Sequence, residues 1–277
     1  MADCSILNFT SCLPEKFMEY LLSIINAPFV PLLDLVKDLL AEPVNISLFQ
    51  SLWVLMVYIL SIFYGMLVLW AGFNFIISGH DSVKREQAKT WLKNVLIMIV
   101  LVQASYFFYE LILEISARLT SGIIDMINPD FFLLTADSLG SLALELVFGI
   151  SYLFTLLITI IFLALRYFLV AVGLIFFPFG IFFYFIPFMK SYGKLIINTL
   201  MIMIFLPFFQ SLILLVVSKM LEVSVFAEFK ILVLITSFLL INLVTIFMLV
   251  FAIVKSAFAL MNTDMGRAAK LAIGKVK

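Results

Sequence analysis

Glu110, Glu114 and Arg118 recur at intervals of four residues near one end of an apolar stretch, so a helix would stack them on one face. Carboxylates at membrane depth are candidates for proton or ion handling, because an ionised group is costly there. The simpler alternative is an ion pair between Glu114 and Arg118 that ends this outer charged ladder at the water interface. His80 is the single histidine. It lies in a polar turn, where solvation is its ordinary role, and one imidazole cannot assemble a His-rich metal site. Cys4 and Cys12, with seven residues between them, would close a small disulfide loop in an oxidising compartment or remain two thiols. Asn8-Phe-Thr and Asn45-Ile-Ser are candidate glycosylation sequons. No G-x-x-x-x-G-K-[ST], C-x-x-C, H-E-x-x-H or G-x-S-x-G pattern occurs. The chain is therefore expected to be no enzyme and to need no cofactor.

The elements that carry these groups follow from composition. The 277 residues are 65% hydrophobic and 12% charged, with a mean hydropathy of +1.24, which leaves too little polar surface to coat a soluble globule. The expected fold is all-α and polytopic, with about five transmembrane helices, one Pro/Gly-broken re-entrant segment and an N-terminal interfacial amphipathic region. Net charge is zero, so no bulk basic field exists for nucleic acid.

Residues 1–48 read as an external amphipathic region lying along the interface and hinged at Pro28 and Pro31. In it Asp34, Lys37 and Asp38 oppose Leu32, Leu33, Val36, Leu39 and Leu40. Spans are expected at 49–78, 94–117, 140–165, 195–218 and 229–254, since a bilayer core asks for about 20 apolar residues. On the first, Ser61, Gly65 and Gly72 mark a face for close helix approach. Gly79 to Ser82 turns the chain, and Lys84, Arg85, Lys89 and Lys93 form a cytoplasmic basic tip, the strongest positive-inside signal present. In the loop from Thr120 to Leu139, Ile123, Ile124, Phe131 and Phe132 suggest a helix resting on the membrane. Pro207 kinks the fourth span, whose polar groups are Asn198 and Gln210; the last holds Thr236, Asn242 and Thr245. Such groups join helices or line a wet path. Residues 255–277 form a basic cytoplasmic tail.

The stretch from Arg166 to Lys194 decides the topology. It contains Gly173, Pro178, Gly180 and Pro187, with Arg166 at one end and Lys190 and Lys194 at the other. Each proline removes a backbone hydrogen bond that hydrocarbon cannot replace, so 167–189 is expected to be re-entrant. The N-terminus is then outside and the C-terminus cytoplasmic. Basic residues 84, 85, 89, 93, 166, 190, 194, 255, 267, 270, 275 and 277 fall inside, twelve of seventeen.

The hairpin AGFNFIISGHDSVKREQAKTWLKNVLIMIVL, the external amphipathic start, and the run R-Y-F-L…F-F-P-F-G…I-P-F-M-K before two further spans resemble a known family. It is the polytopic inner-membrane component of type IV secretion and conjugation systems, the TrbL/VirB-type superfamily, together with archaeal CedA-like DNA-import proteins. The resemblance covers roughly residues 50–260. It implies a multi-pass subunit of the cell (inner, cytoplasmic) membrane, in contact with lipid, in a homo- or hetero-oligomer. Its partners would be a cytoplasmic ATPase and pilin or other secretion subunits, with DNA or protein as a translocated cargo. It implies no catalytic residue. The alternatives are a stand-alone small-solute transporter or ion channel, and a structural membrane anchor.

Overall fold

The computed structural model describes residues 20, 26–132, 142–227 and 229–261. Cys4, Cys12, Asn8 and the tail beyond Met261 lie outside them. Seven helices of more than ten residues run through the described chain, with no strand among the described residues: α1 (Phe29–Ala41), α2 (Gln50–Ile77), α3 (Ser82–Gln103), α4 (Ser105–Ile124), α5 (Leu142–Phe185), α6 (Lys190–Met220) and α7 (Lys230–Met261). The protein is an all-α polytopic membrane protein. Helices α2, α5, α6 and α7 are each long and apolar enough to cross a bilayer, and α3 with α4 would make a fifth crossing, bent by 61°.

The chain divides into two compact units. One comprises Met1–Glu42, Ala117–Leu165 and Leu206–Ile246; the other comprises Pro43–Ser116, Arg166–Phe205 and Phe247–Lys277. The core of the first contains Phe29, Leu33, Val36 and Leu40 of α1 with Phe131, Phe132, Tyr152, Leu214 and Phe238. The apolar stripe of α1 is therefore directed at protein. The Phe29 ring lies 5.0 Å from that of Tyr152, and Asp34 and Lys37 pair at 3.9 Å on the outer side. Phe131 and Phe132, expected against the membrane, are buried in this core, where the Tyr152 hydroxyl donates to the Phe132 carbonyl at 3.3 Å. Aromatic rings next to a buried amphipathic helix gain the same burial from protein as they would from lipid.

The second unit is built on Val57, Leu60 and Tyr64 of α2, Val95 and Met98 of α3, Tyr109 of α4, Val170, Leu174 and Ile181 of α5, and Ile204 of α6. Helix α3 starts earlier than expected. Asp81 has extended backbone and its carboxylate accepts from the amides of Val83 at 3.0 Å and Lys84 at 3.3 Å, an N-cap that starts the helix at Ser82. The basic tip is thus three helical turns. The expected second span, 94–117, breaks between α3 and α4 at Ala104, next to Ser105, whose hydroxyl accepts the Trp53 indole N–H at 2.8 Å.

The largest correction concerns 140–189. The expected third span and re-entrant segment are one helix, α5, which carries Pro178 inside it. Its 44 residues extend about 66 Å at 1.5 Å each. One proline costs a hydrogen bond but need not reverse a helix whose packed face continues across it. Val170, Leu174, Phe177 and Ile181 are all buried, so the stripe spans the break. The reversal comes at Ile186, which leaves helical backbone at ψ 118°; Pro187 then opens the 3-10 turn Pro187–Met189 that leads into α6. The residue before a proline is pushed out of the helical region. That rule operates at Ile186 and is overridden at Phe177.

Gly173 and Gly180 are packing positions and do not break the helix. A methyl at Gly173 would meet Leu200 at 2.5 Å and the Tyr109 hydroxyl at 2.6 Å; one at Gly180 would meet Ile196 at 3.0 Å. On the facing helix, a methyl at Gly193 would strike the Tyr184 backbone nitrogen and lie 2.6 Å from the Gly180 carbonyl oxygen. Absent side chains thus let α5 and α6 approach backbone to backbone. Gly65 and Gly72, by contrast, face open space.

Candidate functional site

Arg166, expected at the membrane edge, lies deep within α5 and is 5% exposed. Its partner is a defect in α6. Pro207 has no N–H to give the carbonyl one turn back, that of Met203. The Arg166 Nε donates to the Met203 carbonyl at 3.0 Å and its Nη2 to the Ile204 carbonyl at 3.2 Å. The Ser116 hydroxyl, from α4, donates to the same Ile204 carbonyl at 2.7 Å. A buried guanidinium is satisfied here by carbonyl dipoles. The ion pairs among the described residues are Asp34–Lys37, Asp81–Lys84 and Lys219–Glu222, and none involves it. The arrangement can hold a broken helix in one geometry.

A second polar group is carried by α6 and α7. The Gln210 amide donates to the Thr245 hydroxyl at 2.7 Å, and that hydroxyl donates to the Ile241 carbonyl at 2.8 Å. Asn242 lies three residues from Thr245, on the same face of α7. Both polar atoms of Asn242 and the Gln210 Oε1 are buried with no hydrogen-bond partner. Gln210 thus joins two helices, as such groups are expected to, while the unpartnered atoms are two acceptors and one donor, a set that water would satisfy in full and a small cation only at its two oxygens.

At the tip, Lys84, Arg85, Lys89 and Lys93 are all exposed. Arg85, Lys89 and Lys93 succeed one another every four residues, so the helix aligns them in one stripe. Lys84 is turned aside to Asp81 at 3.7 Å, and the Arg85 guanidinium lies 5.9 Å from the Phe75 ring. Beside the stripe, Ser82, Glu86, Gln87, Thr90 and Asn94 line an open groove of about 610 Å³.

The outer ladder falls on α4, with Glu110 half-buried and Glu114 and Arg118 exposed. The expected Glu114–Arg118 pair is not formed. Asn45 is exposed, and its Oδ1 accepts from the Ser47 hydroxyl at 2.7 Å and amide at 3.1 Å. Lys190 lies over the Tyr184 ring at 5.4 Å, at the start of α6. Among the described residues no group of three His, Cys, Asp or Glu could hold a metal ion. The residues that reading the sequence missed are Ser116 and the partnership of Arg166 with Pro207. The available signal was an arginine and a proline in two successive apolar stretches, each costly alone. Compared with known proteins, the chain matches no family model, no curated protein and no solved structure.

Proposed function

We propose that the chain is a channel or platform subunit of a conjugation-like DNA-transfer machine in the cytoplasmic membrane, assembled with a cytoplasmic ATPase and pilin-type subunits. The observation that carries this is the exposed stripe Arg85, Lys89 and Lys93 on the capped, polar first half of α3, whose second half is apolar. Three cations held on a rigid helix suit a docking surface for an acidic protein face or a phosphate-rich cargo better than three on a mobile loop would. The resemblance of the hairpin and the proline-containing run to the TrbL/VirB-type superfamily supports the same reading. The N-terminus is external and the C-terminus cytoplasmic in this proposal, because Lys84, Arg85, Lys89, Lys93, Lys190, Lys194 and Lys255 then share the cytoplasmic helix ends.

Reversing Lys84, Arg85, Lys89 and Lys93 to Glu is expected to abolish DNA transfer while membrane insertion and yield stay at the unaltered level. Undiminished transfer by that variant would remove the docking role.

The second reading, a conduit for small solutes or ions, is favoured by the unpartnered atoms of Gln210 and Asn242. Solute flux through vesicles containing the purified chain alone, lost on Asn242→Leu, would support it over the first.

A further inference from the structure

Ser191, Lys194 and Asn198 fall at intervals of three and four residues along α6 and share one face, with Thr199 next to Asn198. With Lys255 of α7 they line a cleft of about 200 Å³. Leu195, Ile202 and Ala252 complete it, Ile202 lying one turn beyond Asn198 toward the middle of α6. Its polarity therefore falls along the helix, from lysine and hydroxyl at the end to aliphatic carbon further in. The two lysines are exposed, and Ser191, Asn198 and Thr199 are half-buried. Among the described residues no carboxylate pairs with either ammonium. The Lys255 ammonium sits over the Phe251 ring of its own helix at 5.7 Å, which steadies it at the rim.

Two cations, two hydroxyls and an amide around one opening fit an anion rich in acceptor oxygens. The adjoining aliphatic wall fits an anion that carries a hydrocarbon chain. We propose that this cleft binds the phosphate headgroup of an anionic phospholipid, with an acyl chain lying over Leu195 and Ile202. A free phosphate would use the rim and leave that wall idle. The proposal rests on the cleft and holds whether or not the chain takes part in DNA transfer.

The test is native mass spectrometry of the full chain in neutral detergent, titrated with dioleoylphosphatidylglycerol, dioleoylphosphatidylcholine or inorganic phosphate. Retention of phosphatidylglycerol in preference to phosphatidylcholine is expected. A lysine near an anionic headgroup contributes about a fivefold change in affinity, so Lys194→Ala and Lys255→Ala should each weaken retention about fivefold and together about twenty-fivefold. Lys219→Ala, at the other end of α6, should change nothing. The double Lys→Arg variant keeps the charges and should retain the lipid, so the proposal stays testable if the double alanine variant does not fold. Equal retention of the two lipids, or alanine variants that bind as the unaltered chain does, would overturn the proposal. Displacement of the lipid by inorganic phosphate at equal concentration would reassign the cleft to free phosphate and overturn it as well.

Discussion

A proline in a membrane helix leaves a carbonyl that hydrocarbon cannot satisfy. In α6 that carbonyl receives Arg166, while Arg166 and Ser116 share the next one. If the arginine serves the proline, the two residues are energetically coupled. Replacing Arg166 by Met removes two donors and should cost about 1–3 kcal/mol for the Met203 carbonyl left bare, since the Ile204 carbonyl keeps the Ser116 hydroxyl. It also relieves the burial of a guanidinium, which makes the single measurement ambiguous. Making the same change in a Pro207→Ala background resolves this, because residue 207 then donates its own N–H to Met203 and the burial contribution cancels between the two legs. The cost of losing Arg166 should fall by about 1 kcal/mol or more in that background, measured by unfolding of the purified protein in a double-mutant cycle. Costs that agree within about 0.5 kcal/mol would show that arginine and proline act independently. Both residues were visible in the sequence as oddities, Arg166 as the end of a span and Pro207 as a kink. Their connection was not visible, because 41 positions separate them along the chain and only helix packing brings guanidinium to carbonyl.

Between elements, the α5–α6 contact depends on atoms that are missing. Gly193 faces the backbone of α5 at Tyr184 and Gly180, and backbone cannot rotate away as a leucine methyl can. Gly193→Ala should therefore lower the thermal midpoint through overpacking of about 1–3 kcal/mol. Gly65→Ala, in open space on α2, should leave it unchanged or raise it, since alanine favours a helix over glycine by about 0.8–1 kcal/mol. Equal shifts in the two variants, followed by thermal unfolding in detergent, would remove the packing role. Gly173 and Gly180 explain why 140–165 and 167–189 read as two segments in the sequence and are one helix in the structure. A glycine that admits a neighbouring helix and one that loosens its own helix look alike in an apolar stretch, and Pro178 nearby tips the judgement toward a break. The seven-residue interval from Gly173 to Gly180, two turns on one face, was the sequence signal for packing. Long apolar periods were legible throughout: α2, α6 and α7 begin within five residues of their expected starts, because twenty apolar residues in a row have few other stable arrangements.

At the scale of the whole molecule, the direction of every helix after α3 depends on whether the bent pair α3 and α4 crosses. If the pair crosses the bilayer, five helical segments cross, and Ser82 and Phe188 emerge on one face with Val225 on the other. If it turns back at Ala104, four cross, and Ser82 shares a face with Val225 while Phe188 stands opposite. Charge favours the crossing, since Lys84, Arg85, Lys89 and Lys93 then lie on the same side as Lys190, Lys194 and Lys255. Phe188 and Val225 are 74% and 65% exposed, and Ser82 is exposed, so a cysteine at each position is accessible to reagent. In a chain with Cys4 and Cys12 replaced by serine, a membrane-impermeant maleimide applied to intact cells should tag Val225→Cys. It should reach Ser82→Cys and Phe188→Cys only after permeabilisation. Tagging of Phe188→Cys in intact cells while Ser82→Cys stays protected would make the pair a re-entrant hairpin. It would also place the lysine cleft of α6 and the basic stripe of α3 on opposite sides of the membrane.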